Sequence, residues 1–197
     1  MKIKEVKTWK FNELTKDLKQ TVIENYRDIN TDYDWWDNVY CDAKEIGKLL
    51  GIDIDEIYFS GFSSQGDGAC FEGSYSYNKN SVKLLKDYAP IDKELHRIAQ
   101  TLQDIQKPCF YSISASVIQS GMYLHEFCTI LNIDMLESIG QKQFTEAEKA
   151  ITETLRDFMR WIYRQLNSQY DCVTTEEAII ETIEANEHDF DENGKIF

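Results

Sequence analysis

A glycine-rich segment between two strand-like runs is the feature that most constrains the fold of this 197-residue chain. The segment spans residues 59–73, FSGFSSQGDGACFEG, and holds four of the nine glycines. The strand-like runs are Ile54–Phe59 and Cys70–Tyr77. Because glycine weakens a strand unless bare backbone is needed, the pattern predicts a β-hairpin whose turn approaches another group closely. This hairpin is the first candidate for a binding surface.

A second hairpin is predicted further along the chain. Apolar residues alternate with serines over Cys109–Ile118, which is the period of a half-buried strand. The turn residues 119–121 then lead into a partner strand, Met122–Ile133. A short first strand is also predicted over Lys4–Trp9.

Apolar side chains at three- and four-residue steps, bounded by capping residues, predict helices between and around the hairpins. These helices cover 15–27, 34–50, a short stretch from 81, 91–105, 145–168 and a last stretch from 174. Thr15 and Asp34 are the predicted caps of the first two, and Thr145 and Thr174 open the last two. The elements predict an α+β fold: an antiparallel sheet built from two β-hairpins, covered by about five to six helices, in a single domain over 1–197.

The composition limits the classes of partner. The net charge is −14, with 35 acidic and 21 basic side chains, which disfavours direct binding to nucleic acid or to an anionic membrane. The acidic surface is either simply solvated or docks on a basic partner, in the extreme by imitating nucleic acid. Five cysteines without a CxxC pair, and no signal-like or membrane-length apolar run, predict a reduced cytoplasmic protein with buried thiols.

The turn of the first hairpin is a candidate ligand site. Its hydroxyl, amide and backbone N–H groups could hold a phosphate or a small polar ligand. The residues concerned are Ser63, Ser64, Gln65, Gly66 and Asp67. The segment lacks the Gly-Lys-Ser/Thr of a Walker A loop, and it precedes a strand rather than the helix of a dinucleotide fingerprint. Asp67-Gly68 is also an ordinary hairpin turn, so a purely structural hairpin is the alternative.

An arginine stripe is the second ligand candidate. The chain places Arg156, Arg160 and Arg164 at four-residue steps, on one face of a predicted helix. Three aligned guanidinium groups could bind a phosphate or a carboxylate-rich surface. The alternative is a ladder of internal salt bridges, for which Glu153 and Asp157 are suitably spaced.

An acidic, tryptophan-containing segment is the candidate partner surface, with Asp34, Trp35 and Asp37 as its contacts. An exposed Trp35 would anchor an interface, whereas a buried Trp35 would anchor the core. The carboxylates just before it resemble the start of a calcium loop, but Trp35 stands where that loop needs glycine. The acidic tail over 181–192 is solvated or faces the partner.

The remaining candidate chemistry is weak. His125 and Cys128 would need further ligands to bind zinc, and in a strand they would point to opposite faces. The same objection applies to a Cys–His nucleophilic pair, although Cys70 or Cys109 could approach the histidine from a neighbouring strand. The sequence therefore predicts no catalytic residue, no metal site and no cofactor.

Three segments resemble a family of small proteins carried by bacteriophages and prophages: Asp32–Trp36, Ile57–Gly73 and Leu155–Arg164. The resemblance covers most of the chain, and some members are labelled antitoxin of a toxin–antitoxin stability system. It implies an accessory protein that acts in a bacterial cytoplasm. It brings no catalytic residues to assign here.

Two functions are therefore expected. The first is a phage-encoded, acidic, non-enzymatic protein that neutralises a protein partner, either a toxin or a host anti-phage defence factor. The alternative is a binder of a phosphate-containing ligand or nucleotide signal, enclosed by the glycine-rich hairpin and the arginine stripe. A hydrolase acting on that ligand is a weaker version, with Asp67 or Glu72 as the general base.

Overall fold

The computed structural model describes residues 7–136 and 140–197. Its elements, in chain order, are β1 Trp9–Lys10, α1 Lys16–Asn25, α2 Asp37–Leu50, β2 Ile52–Phe59, β3 Ala69–Ser76, α3 Ser81–Tyr88, α4 Lys93–Gln106, β4 Ile113–Gln119, β5 Thr129–Met135, α5 Gln141–Val173, α6 Glu176–Ala185 and β6 Asp189–Phe190. Single 3-10 turns span Phe11–Glu13 and Lys107–Cys109. The predicted α+β class is confirmed: within the described ranges, six α-helices accompany a four-stranded antiparallel sheet and a two-stranded sheet.

The chain divides into two compact units. Unit 1 comprises Met1–Asp37 with Ser168–Phe197, and unit 2 comprises Asn38–Asn167. The long helix α5 contributes residues to both. A single folding domain over 1–197 therefore stays a prediction.

Unit 2 is built on the four-stranded sheet, in the order β2-β3-β4-β5 with every pair antiparallel. Alternate residues on the strands are buried, as in β4, where Ile113, Ala115 and Val117 face inward between exposed or half-buried neighbours. Helices α2, α4 and α5 supply contacts to the inward face. The ring of Phe71 meets that of Phe158 at 6.1 Å, for example.

A buried glutamine ties α4 to the sheet. Gln106 is fully buried, and its amide donates to the Tyr75 hydroxyl at 3.2 Å and to the Ile113 carbonyl at 2.7 Å. Its carbonyl oxygen accepts from the Ile113 N–H at 3.2 Å. All polar atoms of this side chain therefore have partners, as burial demands.

The observed helix starts agree only in part with the predicted capping residues. Thr15 accepts from the Leu18 N–H and opens α1, as predicted. The last helix, α6, is capped one residue after the predicted Thr174, by Thr175, which accepts from the Ala178 N–H. Two predicted starts are wrong. Helix α2 begins at Asp37 rather than at Asp34, and Thr145 lies inside α5, where its hydroxyl bonds the Gln141 carbonyl instead of capping.

The second hairpin differs most from its prediction. The predicted strand Cys109–Ile118 begins only at Ile113, because Phe110 and Tyr111 have φ of 54° and 59°, which a strand excludes. The predicted partner strand begins at Thr129 rather than at Met122. Residues 120–128 form a folded loop instead.

Unit 1 packs α1 and α6 around a small apolar core that includes Phe11, Val22, Ile183 and Phe190. Strand β1 pairs with β6 and closes this core. The end of the acidic tail is folded: the Asp191 carboxylate accepts from the N–H groups of Lys195 and Asn193, which lowers its pKa. Of the predicted strand Lys4–Trp9, residues 4–6 lie outside the described residues.

Candidate functional site

Two loops of unit 2 meet at one end of the four-stranded sheet. Loop A, residues 60–68, joins β2 to β3, and loop B, residues 120–128, joins β4 to β5. Strand β3 leaves loop A, while the antiparallel β4 runs toward that same end, with Val117 opposite Gly73. The strand directions therefore place both loops at the same end of the four-stranded sheet.

Loop A is closed by its own aspartate. The Asp67 carboxylate accepts from the N–H groups of Ser63, at 2.9 Å, and Ser64, at 2.6 Å. The base of the loop is held by Ser60, whose N–H donates to the Gly68 carbonyl at 3.0 Å. The two N–H groups that could have received a phosphate are therefore already bonded to a carboxylate of the loop itself.

The bare backbone of loop A accommodates loop B. A Cβ added at Gly68 would lie 2.4 Å from the Cβ and 2.9 Å from the Cα of His125. At Gly66, with φ of +94°, an added Cβ would lie 3.4 Å from the Tyr123 ring. The close approach predicted from the glycines exists, and the group that approaches is a neighbouring loop.

Loop B is also fastened to α5. The Glu126 carboxylate accepts from Nε of Arg160 at 2.9 Å. The ring of Phe127 lies beneath two guanidinium groups, 5.0 Å from Cζ of Arg156 and 5.7 Å from Cζ of Arg160. An ion pair and two cation–π contacts therefore fix the last half of loop B.

The predicted arginine stripe lies on α5, and each of its members is paired with carboxylates. The pairs are Arg156–Glu153 at 2.8 Å, Arg160–Glu126 at 2.9 Å, Arg160–Asp157 at 2.5 Å and Arg164–Glu94 at 2.5 Å. Burial would lower the pKa of Arg160, but the hydrogen bonds and charges of Glu126 and Asp157 raise it. This arrangement corresponds to the internal salt-bridge alternative.

Loop A and the arginine stripe are neighbours through intermediate residues. The Tyr163 hydroxyl donates to the Gly61 carbonyl at 3.1 Å, and its ring stacks on Phe62 at 5.5 Å. Burial and the nearby Asp67 carboxylate raise the pKa of Tyr163. The two predicted ligand-binding features thus reach the same end of the sheet, connected through Tyr163 and through Glu126.

His125 and Cys128 are closer than a strand would allow, so the predicted separation onto opposite faces is wrong. A turn joins the Cys128 N–H to the His125 carbonyl at 2.9 Å, and Sγ lies 3.5 Å from Nε2. His125 Nδ1 accepts from the Phe127 N–H at 3.2 Å, which assigns the ring proton to Nε2. The imidazole thus donates to the sulfur and is a poor base toward it.

Cys70 is the buried thiol at this end of the sheet, and its surroundings do not activate it as a nucleophile. Burial, and then the neighbouring Cys128, Glu72 and Glu126, raise the pKa of Cys70 to about 12. Such a thiol stays protonated at neutral pH. In the part of the chain that the structure describes, no group of three or more His, Cys, Asp or Glu side chains is arranged to hold a metal ion.

The predicted partner surface is changed by the burial of its tryptophan. Trp35 is only 8% exposed and packs against Trp36 and Tyr170, each at 5.5 Å between ring centroids. It therefore belongs to the core, the alternative that the sequence left open. Asp34 and Asp37 are exposed and remain predicted contacts.

The exposed apolar side chains of loop B have no clear signal in the sequence. Met122, Tyr123 and Phe127 are 88%, 57% and 59% exposed. The Tyr123, His125 and Phe127 rings follow one another at 6.1 Å spacings. This surface was not predicted from the sequence, because the pattern indicates a strand over residues 122–128, and alternate residues of a half-buried strand are expected to point inward.

A shallow cavity of about 520 Å³ lies in unit 1, and none of the predicted ligand residues lines it. Trp9 and Leu18 form part of its wall, with the carboxylates of Glu13, Asp17 and Glu192. Among the described residues, no lysine or arginine lines it. This lining does not suit a phosphate ligand.

Comparison with known proteins places the chain in a family. A family model described as a domain of unknown function, DUF8835, matches residues 35–176, which is more than half of the chain. The chain belongs to the DUF8835 family. The DUF8835 match contains both loops and the arginine stripe. No curated protein and no solved structure is detectably similar to the chain. Within 7–136 and 140–197, no helix is long and apolar enough to cross a membrane.

Proposed function

We propose that this DUF8835 protein is a non-enzymatic binding protein that presents loop B to a protein partner. One observation carries the proposal: Met122, Tyr123 and Phe127 are well exposed on a loop whose backbone is held in place. Aromatic, methionine and arginine side chains are enriched in the cores of protein interfaces. Clustered apolar groups that stay exposed are typical of binding surfaces.

The anchoring of loop B supports this role. Gly68 receives His125 on one side, and Arg160 holds Glu126 on the other. A loop fixed in this way loses little conformational entropy when a partner binds, so more of the contact energy contributes to affinity. Phe127 and Tyr123 are the expected hot spots.

The charge of the chain indicates a basic partner. The net charge is −14, and strands β2 to β5 contain five carboxylates and no lysine or arginine. The carboxylates are Asp53, Asp55, Glu56, Glu72 and Asp134. An acidic surface speeds encounter with a basic target and competes with nucleic acid for it. A toxin or a host defence factor in a bacterial cytoplasm is the class of partner that the phage and prophage resemblance implies.

The alternative, a phosphate-containing ligand between loop A and the arginine stripe, is favoured by one observation: both features lie at the same end of the sheet. Two others oppose it. Asp67 already occupies the N–H groups of Ser63 and Ser64, and each arginine of the stripe is paired with a carboxylate. A phosphate would have to displace these carboxylates before it could bind.

Native mass spectrometry separates the two functions. The protein is purified gently from cells that naturally produce it and is measured before and after denaturation. We expect a complex of defined stoichiometry with a second protein, which is lost in a Tyr123→Ser/Phe127→Ser variant and retained in an Ile91→Ser control, since Ile91 is 91% exposed outside the loops. A small mass released on denaturation, or a complex that survives the double substitution, would contradict the proposal.

A further inference from the structure

Strand β5 is an open edge of the sheet, and its hydrogen-bonding pattern shows which backbone groups are unpaired. The Ser120 N–H donates to the Cys128 carbonyl at 2.8 Å, and the Leu136 N–H donates to the Ser112 carbonyl at 3.3 Å. These flanking pairs continue the β4–β5 register, in which Ser116 faces Asn132. Even-numbered residues of β5 therefore direct their N–H and C=O groups toward β4.

The odd-numbered residues of β5 point the other way. Leu131 and Ile133, with Thr129 and Met135 at the ends, direct their backbone N–H and C=O groups away from β4. Since β5 is the last strand in the sheet order, these groups form the free edge. Within 7–136 and 140–197, no backbone group of another element is hydrogen-bonded to them.

The two edges of the sheet differ in protection. Edge strand β2 carries three carboxylates, a register shift between Ile54 and Glu56, and a lysine cap in which Lys44 Nζ donates to the Asp55 carbonyl at 3.0 Å. Charges and bulges of this kind block the addition of a strand. Strand β5 has seven consecutive paired residues, no bulge, no proline and Asp134 as its single charge. Of these two edges, β5 is the one suited to accept another strand.

We infer that the partner of this protein adds an extended, basic segment as a fifth strand to β5, antiparallel or parallel, beside loop B. The inference rests on the proposed function and specifies how the partner is bound. Backbone bonds to Leu131 and Ile133 would give affinity, and alternate side chains of the segment would give specificity. Its lysines or arginines would lie on the sheet face that carries Asp134, the exposed carboxylate of β5 itself.

A basic segment is favoured over a second copy of this chain. Pairing β5 with β5 would bring together two chains that each carry a net charge of −14. The four-stranded sheet itself has no lysine or arginine to offset that repulsion. A lysine-rich strand from a partner would instead be attracted by the negative charge of this chain.

Amide hydrogen exchange tests the inference on the full chain, with a defined probe. The probe is an acetylated eight-residue peptide of alternating valine and lysine. In the free protein, the amides of Leu131 and Ile133 should exchange fast and that of Asn132 slowly. Of these three residues, Asn132 is the one whose N–H faces β4. The peptide should slow Leu131 and Ile133 at least about tenfold and leave Asn132 unchanged.

Three controls make the outcome decisive. A valine–glutamate peptide should bind at least about tenfold more weakly. Two further peptides are N-methylated, one at its odd-numbered amides and the other at its even-numbered amides. One of them should lose binding and the other should retain it, because a strand bonds its neighbour through every second residue. A Leu131→Pro variant should keep the fold and lose the peptide, since proline is tolerated where the N–H faces outward on an edge. If this variant does not fold, the methylated peptides still decide.

Three results would overturn the inference. The valine–lysine peptide binds without protecting the Leu131 and Ile133 amides from exchange, or it does not bind at all. Alternatively, these amides are protected without peptide because two copies of the chain form a dimer. The proposed function stands or falls separately. It depends on whether the natural partner is lost in the Tyr123→Ser/Phe127→Ser variant, a substitution that leaves the β5 backbone intact.

Discussion

The packing of His125 on Gly68 gives a sharp test of how the two loops are assembled. Replacing Gly68 with alanine adds a Cβ that would lie 2.4 Å from the Cβ and 2.9 Å from the Cα of His125. Carbon atoms that are not bonded to one another do not approach that closely, so loop B must retreat by several tenths of an ångström. Gly68 has no positive φ, so the penalty is steric and not conformational.

We expect Gly68→Ala to lower the free energy of unfolding by about 1–3 kcal/mol, the usual cost of overpacking a fitted contact. Urea unfolding followed by tryptophan fluorescence measures this cost. In a His125→Gly background the nearest atom, Cβ of His125, is gone, while Cα of residue 125 at 2.9 Å and Oε2 of Glu126 at 3.6 Å stay close. The same substitution should therefore cost at least about 1 kcal/mol less in that background. Proton NMR adds a local readout: the His125 ring signals should move, whereas those of His96 and His188 should not.

The double-mutant cycle has a clear negative outcome. If Gly68→Ala costs the same in both backgrounds, or if the His125 signals stay in place, the loops do not pack as described. The anchoring of loop B would then lose its main support, and the proposed binding surface would lose its preorganisation.

Three further predictions concern the core. Burial raises the pKa of Cys70 from its ordinary 9.0 to about 12. Above pH 9 the thiol therefore ionises in the unfolded chain and stays protonated in the folded one. The free energy of unfolding should then fall, because of this group, by roughly 1.4 kcal/mol per pH unit. Cys70→Ala should remove that slope in alkaline urea titrations and exposed Cys41→Ala should not; equal slopes would refute the assignment. Gln106→Ala should cost about 2–4 kcal/mol in urea unfolding, against less than about 0.5 for exposed Gln100→Ala, because three buried hydrogen bonds are lost. Asn30→Ala should cost about 1–3 kcal/mol in thermal unfolding, since the Val173 carbonyl and the Thr182 hydroxyl lose their buried partner; an unchanged midpoint would contradict that role.

Local patterns predicted much of the fold. The first hairpin lies within two residues of its predicted strands, because the turn residues and the alternation are both local signals. Helix α4 begins after Asp92, whose carboxylate accepts from the Glu94 and Leu95 N–H groups. Such signals need only a few neighbouring residues, and one sequence contains all of them.

Loop B could not be predicted because its structure depends on distant partners. Glu126 binds Arg160, and His125 packs on Gly68, and neither interaction is marked in the loop itself. The apolar residues from Met122 onward resemble a strand when taken alone. The glycines of loop A did indicate a close approach, but they did not say that loop B makes it.

The candidate site was predicted in part. The spacing of Arg156 and Arg160 correctly suggested pairing with Glu153 and Asp157, since these residues lie on one helical face. The tertiary pairs of the stripe with Glu126 and Glu94 have no sequence signature. Trp35 shows the same limit: a tryptophan beside aspartates fits a surface or a core, and only the packing on Tyr170 decides.

Whether loop B is the binding surface is decided by a binding isotherm for the purified natural partner, measured by titration calorimetry at two salt concentrations. We predict tight binding to the wild type, at least about a hundredfold loss for Tyr123→Ser/Phe127→Ser, and near-wild-type affinity for Ile91→Ser. Binding to the wild type should also weaken as salt increases. Equal affinity of the double variant and the wild type would contradict the assignment of loop B as the binding surface.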